Sequence, residues 1–371
     1  MSGTTAAAAL PPLETASRLG RLRERLGEVG DALVVTTLTN VRYLTGFTGS
    51  AGLLLVLSDD ALFVTDGRYR DQAAAELAAA GAEVRVEVAR GDAQLQALGA
   101  AAKGCSRIGL EAASVSWALL ERLRGVFDGC ELVPSSGVVE ALRAVKDPGE
   151  VARIERAAEL ADVALAQVKP LLAEGPTEAE VALALEAEMR RRGADGVAFE
   201  TIVAAGARSA MPHARAGRHR IEPGELVVVD FGALVEGYRS DMTRTLCVGT
   251  PRETALVDLI DAVLAAQRAG LRAVRPGATG GDVDAACRDA LEAAGYGDAF
   301  LHGTGHGVGL DIHEAPVLGP GSADILVPGA VVTVEPGAYL AGTGGARIED
   351  TVVVTESGAR PLTKSTKDCT L

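Results

Sequence analysis

The sequence predicts an α+β protein of two domains, the second of them built from an internal duplication. Three observations carry this. At 371 residues the chain exceeds the length at which one hydrophobic core stops growing, so a division is expected. The first third alternates short apolar runs with helical stretches, the pattern of a compact α/β unit. The rest of the chain repeats itself. EPGELVVVDFGA, ending at Ala233, and LVPGAVVTVEPGA, ending at Ala338, share a Pro-Gly turn, an apolar run, an acid and a Gly-Ala in register.

In chain order, a frayed tail is expected over residues 1–14 and a first domain over 15–145. Strands are expected at Ala32 to Thr36, Gly52 to Leu57 and Ala61 to Val64, the last two joined by a turn at Asp59-Asp60. An alanine-rich helix follows TDGRYRDQ, and GAEVRVEV then alternates as a half-solvated strand should. Helices follow at Asp92 to Ala102 and Ser116 to Val126. Asp66, Arg68 and Tyr69 read as a turn stabilised by Asp and Gly rather than as a site. A boundary near Val145 opens the second domain, 146–371. There Asp147, Pro148 and Glu150 stand at N-cap, N1 and N3 of a long helix with an apolar face of Val151, Ile154, Ala158, Ala161 and Leu165. The repeat also reaches back into the helices. Gly175 to Phe199 and Gly277 to Phe300 both open with a glycine, a threonine two residues later and an acid-Val pair, then run as an amphipathic helix to a glycine-rich stop. Each half is thus a helical layer followed by a strand pair, and a pseudo-twofold axis would bring the equivalent strands face to face.

Composition narrows the function. A formal charge of -14 speaks against a phosphate-backbone partner, so no nucleic acid is expected. No stretch approaches the roughly 20 apolar residues needed to cross a bilayer, and the MSGTTAAAAL start lacks a basic region, so neither membrane nor signal peptide is expected. The five cysteines show no CxxC or zinc-finger spacing and fit a reducing compartment as small apolar residues. A cytoplasmic location follows.

The acids of the repeat carry the chemistry. Asp230 and Glu335 each lie six residues after a turn glycine, Gly224 and Gly329. Each then meets a second acid across a glycine-containing connection, Asp241 in RSDMTRTLCV and Glu349 in ARIEDTVVVT. One acid ending an apolar strand would be an edge or turn residue; four in matched positions read as the shell of a metal site. Four carboxylates in one cleft repel unless cations are present, which favours two divalent ions held roughly 3.5 to 4 Å apart. Oxygen ligands with an imidazole suit Mn2+, Co2+, Fe2+ or Zn2+. Strand alternation puts Asp241, Thr243 and Thr245 on one face and Arg347, Glu349 and Thr351 on another, so Thr243 and Arg347 are expected to orient ligands.

Three of the five histidines fall in LHGTGHGVGLDIHEAP, whose glycines speak against a helical zinc motif and suggest a flexible or tightly turned backbone approaching a site. His306 reads as a metal ligand and His313 as a donor to a substrate oxygen. His213, in SAMPHARAG, can face the cleft from the first half. His302 stays open between a hydrogen-bonded support and a catalytic part. His219 is expected as a solvated surface residue.

The segments FETIVAAGARSAMPHA, VVVDFGALVEGYRSDMTRT, HGTGHGVGLDIHEAP, VVTVEPGAYL and GARIEDTVVVT resemble those of the creatinase/aminopeptidase superfamily, in its Xaa-Pro peptidase branch. TNVRYLTGFTGSAGLLLV and LFVTDGRYRDQA resemble the N-terminal domain of bacterial Xaa-Pro aminopeptidases, so the likeness spans nearly the whole chain. The resemblance implies a C-terminal pita-bread domain, an N-terminal domain of ribonuclease-H-like α/β topology and a dinuclear site, most often manganese, with cobalt or zinc as alternatives. Its five ligands fall on Asp230, Asp241, His306, Glu335 and Glu349; its substrate-facing histidines match His213 and His313, and its ligand-neighbouring arginine matches Arg347. It further implies a homodimer and peptide substrates with proline at position two. The expected reaction is release of the N-terminal residue by a hydroxide bridging the metals, with Glu335 also accepting a proton; an Xaa-Pro dipeptidase is the alternative, and a non-enzymatic binding module a remoter one.

Overall fold

The computed structural model describes residues 9–371, in two compact units, Pro12–Arg143 and a larger one of Ala144–Leu371 joined by the residues up to Pro11. The smaller unit runs α1 (Thr15–Arg23), β1 (Ala32–Val35), α2 (Leu38–Thr45), β2 (Leu53–Leu57) and β3 (Ala61–Thr65). It continues α3 (Arg70–Ala79), β4 (Arg85–Val88), α4 (Asp92–Ala101), β5 (Arg107–Glu111), α5 (Trp117–Val126), β6 (Glu131–Ser135) and α6 (Val138–Arg143). Its six strands form one sheet in the order β4-β3-β2-β1-β5-β6, antiparallel through β1, β2 and β3 and parallel at both flanks. Val34, Leu55, Leu62 and Ile108 of the sheet pack on Leu95, Leu98 and Leu123 of α4 and α5. The TDGRY segment is a turn, with the Asp66 carboxylate accepting from the Arg68 backbone N–H at 2.9 Å.

The larger unit shows the duplication directly. Its first half is α7 (Pro148–Val168), α8 (Glu178–Arg191), β7 (Gly196–Val197), β8 (Ile202–Ala205), β9 (Leu226–Phe231), β10 (Ala233–Val235), β11 (Tyr238–Arg239) and β12 (Met242–Cys247). Its second is α9 (Thr254–Ala273), α10 (Gly280–Ala293), β13 (Gly305–Gly307), β14 (Glu314–Leu318), β15 (Val331–Val334), β16 (Gly337–Leu340), β17 (Gly344–Arg347), β18 (Asp350–Thr355) and β19 (Gly358–Pro361). The antiparallel order β8-β9-β12 recurs as β13-β15-β18, with β14 and β19 added at the edges. Each half fills its own apolar core, Leu165, Leu185 and Val229 in one, Leu259, Val283 and Val332 in the other. A buried Val, Leu or Ile contributes about 1.5–3 kcal/mol.

Local chemistry explains why both copies fold alike. Thr177 caps α8 and Thr279 caps α10, each in a reciprocal box with the acid three residues on, Glu180 and Asp282, which supplies partners for two orphan N–H groups. The same device, Asp147 with Glu150, opens α7. The chain entering the central hairpins is tied identically: Ile221 N–H donates to the Pro176 carbonyl at 2.9 Å and Leu326 N–H to the Ala278 carbonyl at 2.8 Å. Gly224 and Gly329 both take left-handed φ at the turn, and their N–H groups donate to Val248 and Val354 at 2.9 Å.

Three sequence expectations are corrected. Of the expected tail, residues 1–8 lie outside the described residues, while Leu10 packs on the first half's core and the Pro11 carbonyl accepts from Arg153 at 2.8 Å, so the chain is held there. The glycine-rich HGTGHGVG is not a tight turn over its length: Gly305–Gly307 is strand β13 inside the five-stranded sheet. His219 is not a free surface ring, since its Nε2 lies 2.9 Å from a Glu225 carboxylate oxygen.

A Cβ at Gly305 would collide with the Thr333 carbonyl oxygen, so glycine is there for close backbone approach. Gly305→Ala should therefore cost about 1–3 kcal/mol, read as a lower urea midpoint at unchanged slope. An unaltered midpoint would show that β13 and β15 do not approach as described.

Candidate metal centre

The site forms where β12 of one half meets the β17–β18 segment of the other. Thr245 Oγ1 donates to the Arg347 carbonyl at 2.8 Å, and Thr351 Oγ1 donates to the Asp241 carbonyl at 2.7 Å. Thr243 Oγ1 donates to Glu349 Oε2 at 2.7 Å, and Arg244 ion-pairs with Asp350 at 2.9 Å. These contacts define the pseudo-twofold. The first ladder pairs Thr243 with Asp230; the second, continued one residue past Val334–Asp350, sets Glu349 opposite Glu335. Asp230 and Glu335 are equivalent, as expected. The second acids are not: the equivalent of Glu349 is Thr243, and that of Asp241 is Arg347. Reading the acids as two matched pairs placed the hairpins two residues out of their true register.

The consequence is electrostatic asymmetry. On one side of the axis Arg347 Nη2 donates to Asp230 Oδ2 at 2.6 Å. At the equivalent position on the other side Asp241 stands in place of the guanidinium, near Glu335, with His306 Nε2 at 3.7 Å from Asp241 and 3.2 Å from Glu335. Asp230, Asp241 and Glu349 each offer an oxygen, all within 4.8 Å of one another. Burial pushes the Asp241 carboxyl well above the usual carboxylate range, with the charges of Glu349, Asp230 and Glu335 adding to it. Burial does the same to Glu349, reinforced by Glu335 and Asp230. It also raises Asp230, against the opposing charge of Arg347. Burial would raise Glu335 as well, but the His306 hydrogen bond and the charges of His306, His302 and Arg347 hold it down to about 2. His306, despite burial, is held above its ordinary value by Glu335.

This donor set fits divalent cations. Asp230 Oδ1 and Glu349 Oε1 are buried with no hydrogen-bond partner among the described residues, which leaves two carboxylate oxygens free for ions at a place where orphaned acceptors are costly. The cluster borders a cavity of about 370 Å³ that His213, His302, His306 and His313 also line. The His306 and His313 rings meet edge to face with centroids 4.3 Å apart. Burial and the neighbouring His306 lower the His313 pKa, which keeps its ring neutral at pH 7.

Two contributors escaped the sequence reading. Tyr339 Oη accepts from Arg347 Nη1 at 2.9 Å and lies 2.8 Å from His302 Nε2, so it couples the guanidinium to that ring. Strand alternation held the clue, because Glu335, Gly337 and Tyr339 share a face, and a side chain at Gly337 would occupy the place of the Tyr339 hydroxyl. Thr333 accepts from His306 N–H at 3.0 Å and donates to Glu335 Oε1 at 3.2 Å, two residues before its partner on the same face. His302, left open above, is tied through Nδ1 to the Gly303 carbonyl as well. Arg347 also donates from Nε to Thr243 at 3.1 Å.

The pKa shifts set a sign. For Asp241 and Glu349 the folded state holds protons that the unfolded state releases near pH 4, so stability falls as pH rises from there toward the folded values. His306 acts in the same direction above pH 6.5. Burial holds His302 and His313 below their ordinary value, so they act the opposite way, but only up to about pH 6.5. Chelator-treated protein should thus melt lower at about pH 8.5 than at about pH 7, while manganese-loaded protein should not. A chelated protein that gains stability across this range would contradict the cluster's electrostatics.

Residues 152–356 match the metallopeptidase family M24, and residues 18–145 match the creatinase/prolidase N-terminal domain. The chain is 43% identical to the uncharacterized peptidase YqhT of Bacillus subtilis, over 95% of this chain and 99% of that one. It superposes with a TM-score of 0.91 on the Xaa-Pro dipeptidase from Bacillus anthracis, at 38% identity, covering 96% of this chain and all of the other. The X-Pro aminopeptidase from Thermotoga maritima gives 0.85 at 35% identity over 94% and 99%. With its duplicated pita-bread unit and creatinase-type N-terminal unit, the chain belongs to the M24 metallopeptidase family, whose members in this branch are Xaa-Pro peptidases.

Proposed function

We propose that this protein is a dinuclear metallopeptidase that releases the N-terminal residue from peptides with proline at the second position. The observation that carries the metal assignment is the buried carboxylate cluster with two unpartnered oxygens facing a cavity. Asp230, Asp241, His306, Glu335 and Glu349 would hold the ions, with manganese favoured by the oxygen-rich donor set. When bound, such ions supply a nucleophilic water at neutral pH and polarise the scissile carbonyl.

The chain's own groups do the rest. Glu335, ionised at neutral pH, accepts a proton from the attacking water. His213 and His313, both exposed to the cavity, donate hydrogen bonds to the developing oxyanion or to the proline nitrogen as it leaves. Arg347 and Thr243 fix Asp230 and Glu349, and Tyr339 with His302 fixes Arg347. Phe199, Ile202, Ile312 and Val317 give the cavity an apolar wall for side chains of the substrate.

Peptide length divides two readings. Among the described residues lining the cavity, Arg347 is the only Lys or Arg, and its guanidinium is committed to Asp230, Tyr339 and Thr243. A dipeptide's carboxylate would find no free cation there, which favours longer peptides. The likeness to an Xaa-Pro dipeptidase favours the second reading, a prolidase.

With manganese, Ala-Pro-Ala should be cleaved between alanine and proline, and chelator should abolish this. Cleavage of Ala-Pro alone would move the assignment to the dipeptidase, and inertness toward both with metal bound would remove the peptidase reading. His313→Ala should lower turnover about a hundredfold at unchanged metal content. Undiminished turnover would exclude His313 from the reaction.

A further inference from the structure

The two halves hold equivalent cavity walls by different means. In the second half, Val317 and Leu318 are fixed because β14 pairs with β13, and Asp324 accepts from Val317 N–H at 2.8 Å. The equivalent segment of the first half carries Pro212 and His213, and it lies in no strand. The straps share their anchorage on the helix N-termini. Gly280 and Gly281 N–H groups donate to Asp324 and Ser322 carbonyls at 2.8 and 3.0 Å, as Glu178 and Ala179 donate to His219 and Gly217 at 3.1 and 3.0 Å. They differ at one position. Where the second half has Gly280, whose Cβ would collide with the Val317 carbonyl, the first has Glu178.

The Glu178 side chain is fully buried and its carboxylate gathers the strap from both ends. It accepts from Ala205 N–H at 2.8 Å, from Gly217 N–H at 2.9 Å and from Arg208 Nε at 3.0 Å. Arg208 in turn donates from Nη2 to the Arg215 carbonyl at 2.6 Å, so residues 205–217 close around one carboxylate. The His213 ring has no hydrogen bond of its own among the described residues, so the course of its backbone bears directly on where it points. We infer that Glu178, acting with Arg208, is a positioning residue for His213, and that its carboxylate does for this strap what strand pairing does for the other.

The inference rests on the catalytic part proposed for His213, and a double-mutant cycle separates the two. With manganese-loaded protein and whichever of Ala-Pro-Ala or Ala-Pro is cleaved, Glu178→Gln should lower kcat about tenfold or more at unchanged metal content. In a His213→Ala background the same change should cost less than about twofold. Equal losses in both backgrounds would make Glu178 merely structural and overturn the inference. A His213→Ala variant with normal kcat would instead remove the part given to His213, and the inference with it. Arg208→Gln, at a partly exposed position, repeats the cycle should Glu178→Gln not fold. Independently of turnover, either variant should speed amide hydrogen exchange in residues 211–217 relative to β14; unchanged exchange would count against the clamp.

Discussion

Everything at this site depends on one constraint: at a pseudo-twofold axis a residue meets its own counterpart. Two identical charges placed there would repel in a buried setting where charge is expensive. The halves have diverged at the axis into complementary partners. Arg244 faces Asp350, and Thr243 faces Glu349, each pair being the two copies of one position. The threonines one step further on, Thr245 and Thr351, stay alike because a hydroxyl can serve both halves equally, each bonding a carbonyl across the axis.

The same divergence produces the site. Arg347 neutralises Asp230 on one side, while Asp241 occupies the equivalent place near Glu335 on the other. A surplus of buried negative charge is therefore confined to one side of the axis, with Glu349 and His306 around it. The frame about this surplus is cross-tied by hydrogen bonds and ion pairs. Asp350, next to Glu349 and fully buried, also receives Gln267, Thr363 and Lys367, so the C-terminal segment is fastened behind β18. Asp162 holds the same segment through the Ser365 N–H and hydroxyl. Hydrophobic packing forms each half, and these polar ties fix how the halves meet.

Much of this was legible in the sequence because local rules carry it. Capping boxes at Asp147, Thr177 and Thr279, turn glycines at Gly224 and Gly329, and the helix and strand periods all act within a few residues. The acids and histidines were found for the same reason, and the structure gathers them around one cavity. What was not legible is set across the axis. The equivalence of Asp241 with Arg347 follows from hydrogen-bond register, which residue type does not reveal when the connection between strands differs in length. Tyr339 and Glu178 bond partners remote in sequence, His302 for one and Gly217 for the other. The strand at Gly305 looked like a turn because glycine serves both loops and close-packed backbones.

The central claim is that the one-sided surplus of carboxylate charge is there to hold cations. Counting manganese per chain by elemental analysis after equilibrium dialysis tests it most directly, in the wild type and in Glu349→Gln. The account predicts two ions in the wild type and loss of at least one in the variant, whose fold should persist because the Thr243 hydroxyl can still donate to the remaining carbonyl oxygen. A wild type that binds no manganese, or a variant that still holds both ions, would contradict it.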